Sequence, residues 1–224
     1  MSPPPATRPD LYFHLTPELR TLAMRGVARS YPKKAVLINE GEDGDSLFVL
    51  LKGSVKVFAM DQEGHEITYG RIYAGDYFGE MSLDGGPRSA SVMTLEPSVC
   101  AVLTRASVSE HLAAEPGFAI NLVVQVIRRA RAATEVARDM ALLDVYSRLV
   151  AALENQIEIP AGKASLDDVD YPVTLDPITH QDIASRIGAS REMISRLLKD
   201  LERGGHIQMG IKRITVLSKL PQRW

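Results

Sequence analysis

The chain has 224 residues, of which 24% are charged and 45% hydrophobic, and its formal net charge is −2. This length allows one large or two modest domains with hydrophobic cores, and the composition is ordinary for a soluble globular protein. Its single cysteine, Cys100, excludes an intramolecular disulfide and a cysteine-rich metal or iron–sulfur site.

Charge is divided unevenly along the chain. From Thr179 to the carboxy-terminal end, nine Lys or Arg and four Asp or Glu give a net charge of +5, so the residues before Thr179 carry −7. A basic carboxy-terminal part favours a polyanion as its partner. No segment approaches the ~20 apolar residues of a transmembrane helix, and the start MSPPPATRPD has no signal-peptide core. We therefore expect a cytoplasmic protein without a membrane partner.

The amino-terminal half has the pattern of a β-domain. Residues 1–10 are proline-rich and predicted to be flexible, and a short helix is predicted from Thr16, as its cap, to Val27. Short β-rich runs then extend from Lys34 to about Leu103, interrupted by glycines at 41, 53, 64 and 75. This spacing indicates an antiparallel β-roll or barrel, although an unrelated β-sandwich would give the same periodicity.

A long helix is predicted after a break at Glu115-Pro116-Gly117. Apolar residues along it step alternately by four and three, which is a heptad register typical of a helix that pairs with its twin in a homodimer. The alternative is a helix packed on its own β-roll. Because the seam is rich in alanine, it would bury little area per residue and could be biased by a ligand. The predicted seam is Ala119, Val123, Val126, Ala130, Ala133, Ala137 and Met140.

A further helix is predicted from Asp144 to Gln156, followed by an irregular acidic stretch over 157–176. A pair of short strands around Ile157 and Val173 fits within that stretch. After the segment that begins at Thr179, HIQMGIKRITVL alternates around Gly210, which predicts a small hairpin beside the preceding helix.

The segment THQDIASRIGASREMISRLLKDL (179–201) predicts two short helices joined by a tight turn. Thr179 with Asp182 and Ser190 suit helix N-caps, and Gly188 suits a turn residue with positive φ. A helix-turn-helix has this arrangement, and the first turn of its second helix can enter the major groove of DNA. An ordinary surface helix with a Glu192–Arg196 pair is the alternative.

The polar face of that second helix carries the predicted DNA contacts. Arg can donate two hydrogen bonds to guanine, and Glu can accept one from the cytosine amino group. We predict base contacts from Arg191, Glu192 and Arg196, and phosphate contacts from Thr179, Ser190 and Lys199.

Three stretches are similar to motifs of one known family. LINEGEDGDSLFVLLKG (37–53) is similar to the opening of a cyclic-nucleotide-binding barrel, and FGEMSLDGGPRSASV (78–92) is similar to the phosphate-binding cassette of that domain. ASREMISRLLKDLE (189–202) is similar to the recognition helix of the same family. On these motifs the chain resembles the CRP/FNR family of bacterial transcription regulators over almost its whole length.

The resemblance implies an α+β fold with three folded parts. These are an amino-terminal antiparallel β-roll that binds a cyclic nucleotide (11–115), a long dimerisation helix (116–143), and a winged helix-turn-helix domain (144–224). It also implies a ligand site in the cassette, where Gly79 lets backbone amides approach and Glu80 accepts a hydrogen bond from a ribose hydroxyl. Arg88 and Ser89 would bind the phosphate. A hairpin with a surface Glu80–Arg88 pair is the alternative.

The effector is left open between two nucleotides. In the cAMP-responsive members, a Thr-Ser pair holds the adenine at the place where this chain has Ala133-Thr134. Ala133 has no hydrogen-bonding group, so only Thr134 could serve. Other members bind cyclic di-GMP, and Arg128, Arg129 and Arg131 could meet its second phosphate or stack on guanine, unless they form only a solvated face. The expected effector is cAMP or cyclic di-GMP.

The predicted function is a homodimeric transcription regulator that binds a roughly palindromic double-stranded operator under control of that nucleotide. RNA polymerase is a further expected partner. We expect no metal and no enzyme activity, since neither a metal cluster nor a nucleophile–base spacing is found. Control by haem, gas or redox state, and DNA binding without a ligand, are the alternatives.

Overall fold

The computed structural model describes residues 11–64, 66–159, 165–175 and 177–222. The predicted flexible segment 1–10 therefore lies outside the described residues. The chain divides into two compact units: Met1–Ala59 with Tyr69–Arg131, and Met60–Thr68 with Ala132–Trp224. Within the described ranges, no helix has the length and apolar character needed to cross a membrane.

Eleven strands and six α-helices make up the described fold. The helices are α1 (Pro17–Met24), α2 (Arg105–Ala114), α3 (Pro116–Leu142), α4 (Val145–Glu154), α5 (His180–Ile187) and α6 (Arg191–Arg203). The strands are β1 (Val27–Tyr31), β2 (Val36–Ile38), β3 (Ser46–Lys52), β4 (Ser54–Met60), β5 (Glu66–Tyr73), β6 (Tyr77–Phe78), β7 (Ser91–Thr94), β8 (Ser98–Thr104), β9 (Val173–Thr174), β10 (Ile207–Gly210) and β11 (Arg213–Val216).

The first eight strands form two four-stranded sheets, in the orders β1-β8-β3-β6 and β2-β7-β4-β5. β3 pairs antiparallel with both β6 and β8, and β7 pairs antiparallel with β2 and β4. The predicted antiparallel β-roll is therefore confirmed. The four glycines that interrupt the β-rich runs all have positive φ, as their turns require: Gly41, Gly53, Gly64 and Gly75.

Strand β3 is apolar without alternation because hydrophobic cores cover both of its faces. Leu47, Val49 and Leu51 belong to a core formed with α1, α2 and the start of α3. Phe48 and Leu50 belong to a second core, whose other members lie on strands of both sheets. A strand buried on both sides has no place for the alternating polar residues of a half-buried strand.

The second unit is held by one hydrophobic core to which α4, α5, α6 and the strands β10 and β11 contribute. The predicted caps are confirmed: Thr179 and Asp182 form a capping box at α5, and the Ser190 hydroxyl accepts the Met193 N–H at α6. Gly188 has a φ of 62°, as expected for the turn between these helices.

Two local expectations for this unit were wrong. Ile157 is buried in a loop rather than in a strand, and β9 pairs with β11 of the hairpin. The turn of the hairpin lies at Ile211-Lys212 rather than at Gly210, and Lys212 has a φ of 52°. Hence β9 adds a third strand to the hairpin of β10 and β11, and these three strands form the wing.

The Arg148 side chain joins three elements of the second unit. Its Nε donates to the Ile187 carbonyl at the end of α5 (2.9 Å), and its Nη1 donates to the Leu143 carbonyl beyond the end of α3 (2.8 Å). One side chain of α4 thus hydrogen-bonds to the chain at the ends of α3 and α5.

A buried histidine lies at the junction of α2 and α3 in the first unit. The His111 side chain is fully buried, its ring packs edge-on against Phe118 with centroids 5.1 Å apart, and neither ring nitrogen has a hydrogen-bond partner among the described residues. Burial lowers the pKa of His111, and the cation of Arg25 lowers it further, whereas Glu115 opposes this shift. Arg25 itself pairs with Glu110 at 3.8 Å.

We expect acid to destabilise this unit through His111. Because its pKa is lower in the folded than in the unfolded chain, unfolding takes up a proton as the pH falls below about 6.5, and this group can remove at most about 1.4 kcal/mol of stability per pH unit. His111→Phe keeps an aromatic ring against Phe118 but has no titratable group, so the free energy of unfolding should depend less on pH in this variant. Urea unfolding of both proteins at pH 7.5, 6.5 and 5.5 measures the difference; identical slopes would contradict the prediction.

Candidate functional site

The predicted ligand cassette begins with a sharp turn after β6. Gly79 has a φ of 88°, and a short 3-10 helix, Glu80–Ser82, follows it. A Cβ on Gly79 would lie 2.8 Å from the Ser46 carbonyl and 2.9 Å from Arg88 Nη1. A side chain at this position would therefore be strained and would also displace the neighbouring guanidinium.

Arg88 is buried, with only 8% of its surface exposed, and its guanidinium is held by three acceptors. Nη1 donates to the Gly79 carbonyl (3.0 Å) and to Ser82 Oγ (2.6 Å), and Nη2 donates to the Ser46 carbonyl (2.9 Å). Nε and the second hydrogen of Nη2 have no acceptor in the described part of the chain. Gly44 lies beside Arg88 Nε, and a Cβ on Gly44 would overlap the guanidinium.

Glu80 is the second charged group of the cassette, and its side chain is only 2% exposed. Arg129 of α3 places Nη1 2.5 Å from Glu80 Oε2, and its Nη2 donates to the Tyr77 carbonyl at 2.6 Å. The ion pair is not a well-directed hydrogen bond, so neither carboxylate oxygen accepts one from a described residue. The surface Glu80–Arg88 pair, considered as an alternative, does not form among the described ion pairs.

Two sets of unused polar atoms therefore belong to one cassette. The carboxylate of Glu80 can accept from hydroxyl groups, and the free N–H groups of Arg88 can donate to an anion. The Glu80 oxygens are buried without hydrogen bonds, which costs free energy that a hydroxyl group of a bound ligand would recover. A sugar hydroxyl and a phosphate in one small molecule fit this donor and acceptor set.

From the sequence, Arg129 is one of three arginines proposed to meet a second phosphate, and it is not distinguished there from Arg128 and Arg131. In the structure it continues the face of α3 that begins with the buried Phe118 and runs through the half-buried Leu122 and Gln125. These residues are spaced by four, three and four, which places them on one side of a helix. This spacing is visible in the sequence, and it distinguishes Arg129, on the face of Phe118, from the exposed Arg128 and Arg131.

The other predicted ligand residues are accessible. Ser89 is exposed, and its hydroxyl donates to the Met81 sulfur at 3.3 Å. Ala133 and Thr134 are exposed on α3, and they follow Arg129 by about one turn of the same helix. The structure therefore brings Gly79, Glu80 and Arg88 together and adds Arg129 from α3.

The predicted seam of α3 is exposed except at one end. Val123 is 56% exposed and Val126 39%, whereas Ala119 is half-buried. Two larger apolar side chains outside the predicted register are as exposed as these valines, Ile120 at 66% and Ile127 at 45%. At 37% exposure, Met140 is the least exposed of the larger seam side chains, and its Cε would lie 2.9 Å from a Cβ on Gly188.

The predicted base-contacting residues lie together on the surface of the second unit. Arg191, Glu192 and Arg196 are all exposed on the first turns of α6, and no Glu192–Arg196 ion pair occurs among the described residues. Lys199 is exposed one turn later. The Thr179 and Ser190 hydroxyls are engaged as helix caps, so their side chains already have partners.

A pocket of about 170 Å³ lies between the start of α5 and the wing. Thr179 and His180 line one side, and Lys212 and Arg213 line the other. His180 Nδ1 is 2.9 Å from Ser195 Oγ of α6; burial lowers the pKa of His180, as do Arg191 and Lys199. The basic wing residues were missed as candidate contacts, although Lys212-Arg213 at a hairpin turn was the available signal.

Two observations on the described residues concern the thiol and the metal ligands that redox or metal sensing would use. Cys100 is fully buried in β8, and burial raises the pKa of its thiol to about 12, so it has almost no reactive thiolate at neutral pH. The described ranges contain no group of three His, Cys, Asp or Glu residues that could hold a metal ion. His65 is not among the described residues.

Comparison with protein families gives two matches in this chain. Residues 28–115 match the cyclic nucleotide-binding domain, and residues 147–219 match the Crp-like helix-turn-helix domain. The first match contains the cassette and β3, and the second contains α5, α6 and the wing.

Individual proteins are similar to the chain over most of their length. The cAMP-activated global transcriptional regulator CRP of Haemophilus influenzae is 33% identical over 188 residues, which is 83% of this chain and 82% of that protein. The catabolite activator protein of Thermus thermophilus has a TM-score of 0.52 at 28% identity, covering 92% and 93% of the two chains. The c-di-GMP responsive global regulator CLP of Xanthomonas campestris has a TM-score of 0.77 at 23% identity, covering 90% and 98%.

Proposed function

This chain belongs to the CRP/FNR family of DNA-binding transcription regulators, and we propose that a cyclic nucleotide bound in its cassette controls DNA binding by a homodimer. The observation that carries the proposal is the pair of buried, incompletely satisfied groups in the cassette. Glu80 has carboxylate oxygens without hydrogen bonds, and Arg88 has two free N–H groups. A ribose hydroxyl on Glu80 and a cyclic phosphate on Arg88 and Ser89 satisfy these groups together.

The cassette favours a ligand with one phosphate. Arg88 is the cation with free donors, whereas Arg129 is already paired with Glu80 and bonded to the Tyr77 carbonyl. A second phosphate on Arg129 would leave the buried Glu80 carboxylate without its cation, which is costly. We therefore place cAMP first, which is also the activator named for the Haemophilus influenzae relative. The missing hydrogen-bonding group at Ala133 leaves cyclic di-GMP as the second candidate.

Exposed apolar residues on α3 support the homodimer. Ile120, Val123 and Ile127 form a stripe with steps of three and four that continues through Ala130, Thr134 and Ala137. This stripe includes Val123, Ala130 and Ala137 of the predicted seam and lies on the side of α3 away from Phe118 and Arg129. Pairing of two such helices would remove these side chains from water. Arg129 on one face and the seam on another would link the cassette to the dimer interface through a single helix.

The exposed first turns of α6 support the proposed DNA contacts. We propose that Arg191, Glu192 and Arg196 read base edges in the major groove, and that Lys199 contacts phosphate. Ser190 would contact phosphate through its hydroxyl hydrogen, which its cap leaves free. Thr179 would do so by exchanging one of its two hydrogen bonds to Asp182, since its backbone N–H and its hydroxyl both donate there. The basic pocket between α5 and the wing suits another phosphate, since Lys212 and Arg213 face the start of a helix. A cytoplasmic location and contact with RNA polymerase complete the proposal.

Arg191→Ala should weaken specific DNA binding far more than non-specific binding. Loss of a bidentate base contact costs roughly 1–3 kcal/mol at one base pair, whereas Lys199→Ala should weaken all duplexes about equally. Fluorescence anisotropy with an operator selected from random duplexes, and with its scrambled sequence, measures both affinities at one salt concentration. A uniform loss for Arg191→Ala would make it a phosphate contact.

The coupling between ligand and DNA tests the whole proposal. Coupling of ~1–3 kcal/mol would change the affinity for the selected operator by about 5- to 150-fold, and the operator must change nucleotide affinity by the same factor. Calorimetric titrations with cAMP and with cyclic di-GMP, each with and without operator, measure that factor, and sedimentation gives the oligomeric state. Equal nucleotide affinity in both conditions would refute allosteric control.

A further inference from the structure

Met81 lies at the accessible edge of the ligand cassette. It is the middle residue of the 3-10 helix Glu80–Ser82. Its neighbours Glu80 and Ser82 are buried and contact Arg129 and Arg88, respectively. The Met81 side chain itself is 55% exposed. Its sulfur accepts a hydrogen bond from the exposed Ser89 hydroxyl at 3.3 Å. The thioether thus contacts the hydroxyl group proposed to bind the ligand phosphate.

Met81 and Cys100 differ in what the oxidation of their sulfur atoms requires. Cysteine oxidation proceeds through the thiolate, and burial raises the pKa of Cys100 to about 12. Methionine oxidation needs no deprotonation, only access of the oxidant to the sulfur. Met81 is 55% exposed, whereas Cys100 is fully buried.

From this geometry we infer that Met81 is a reversible oxidation site that controls nucleotide binding; the inference rests on the function proposed above. A hydroperoxide transfers one oxygen to the sulfur: an S–O bond forms, the O–O bond breaks, the thioether loses two electrons and the peroxide is reduced to water or an alcohol. The sulfoxide oxygen is a far stronger hydrogen-bond acceptor than a thioether. It holds the Ser89 hydroxyl and places a partial negative charge beside the phosphate position.

The chain offers a matched control for this site. Met60 is also 55% exposed but lies at the end of β4, outside the cassette. The wild type, Met81→Leu and Met60→Leu are each treated with hydrogen peroxide, and peptide mass mapping gives the fraction oxidised at every methionine. Calorimetric titration with cAMP and with cyclic di-GMP follows, and each treated protein is compared with its own untreated sample. Circular dichroism confirms that treated samples remain folded.

Oxidation should lower nucleotide affinity about tenfold in the wild type and in Met60→Leu, and leave Met81→Leu unaffected. Methionine sulfoxide reductases A and B together, which reduce the two sulfoxide epimers, should restore it. Unchanged affinity with Met81 fully oxidised, or an equal loss in Met81→Leu, would overturn the inference. If the untreated wild type binds neither nucleotide, the proposed function fails, and the consequence of oxidation for binding fails with it.

Discussion

Arg129→Ala is expected to lower the free energy of unfolding of the first unit by about 3 kcal/mol, the lower end of the range for breaking a buried ion pair. The substitution leaves the Glu80 carboxylate, 2% exposed, without the cation that lies 2.5 Å from it. It also removes the donor to the Tyr77 carbonyl. We take the lower end of the range because the Arg129 side chain is 28% exposed and water screens it in part.

Arg131→Ala is the matched control for this substitution. It removes the same charge from the same helix, but Arg131 is exposed, so the change in stability should stay within about 0.5 kcal/mol. Adding Glu80→Gln to Arg129→Ala should recover part of the lost stability, because no buried charge is then left alone. Urea unfolding at pH 7 and one protein concentration measures all four proteins. Equal losses for Arg129→Ala and Arg131→Ala would show that the pair does not hold α3 to the cassette.

Arg88→Ala is expected to lower nucleotide affinity by at least about 100-fold. Two charge-assisted hydrogen bonds to the phosphate are lost, each worth ~1.5–3 kcal/mol. Arg88→Lys keeps the charge but not the planar fork, so its affinity should lie between those of the alanine variant and the wild type. The alanine variant also leaves the Gly79 and Ser46 carbonyls without their donor, so its stability must be measured beside its affinity.

Calorimetry with cAMP and cyclic di-GMP gives these affinities, and Arg128→Ala serves as the control for a general loss of positive charge. Arg128 is exposed on α3 and makes no described ion pair. A folded Arg88→Ala protein that binds a nucleotide as tightly as the wild type would show that the phosphate lies elsewhere.

Local chemistry explains why parts of this structure were predictable from residues. The caps at Thr16, Thr179 and Ser190 all form, because a hydroxyl or carboxylate near a helix start has few alternative roles. Gly188 takes the expected left-handed conformation for a similar reason. Such signals depend on residues only a few positions apart.

The rest of the cassette depends on residues far apart in sequence. Helical periodicity places Arg129 on the same face as Phe118, but it does not say that Glu80, 49 positions earlier, would meet it. The hydrogen bond from Arg88 to the Ser46 carbonyl and the close approach of Arg88 to Gly44 also join residues more than 40 positions apart, so local sequence patterns do not predict them. A wing turn at Ile211-Lys212 was missed because glycine usually takes the positive φ that Lys212 has here.

The Arg148 contacts bear on how a signal could reach the DNA-binding helices. Leu143 and Asp144 are the only residues between α3 and α4, and Arg148 fastens both this junction and the last carbonyl of α5 to one rigid guanidinium plane. Because both carbonyls are hydrogen-bonded to one planar group, the α3–α4 junction and the end of α5 resist rotation relative to each other. A rotation of the carboxy-terminal end of α3 would therefore turn α4 and α5 with it as a single body, instead of being absorbed by the two-residue junction.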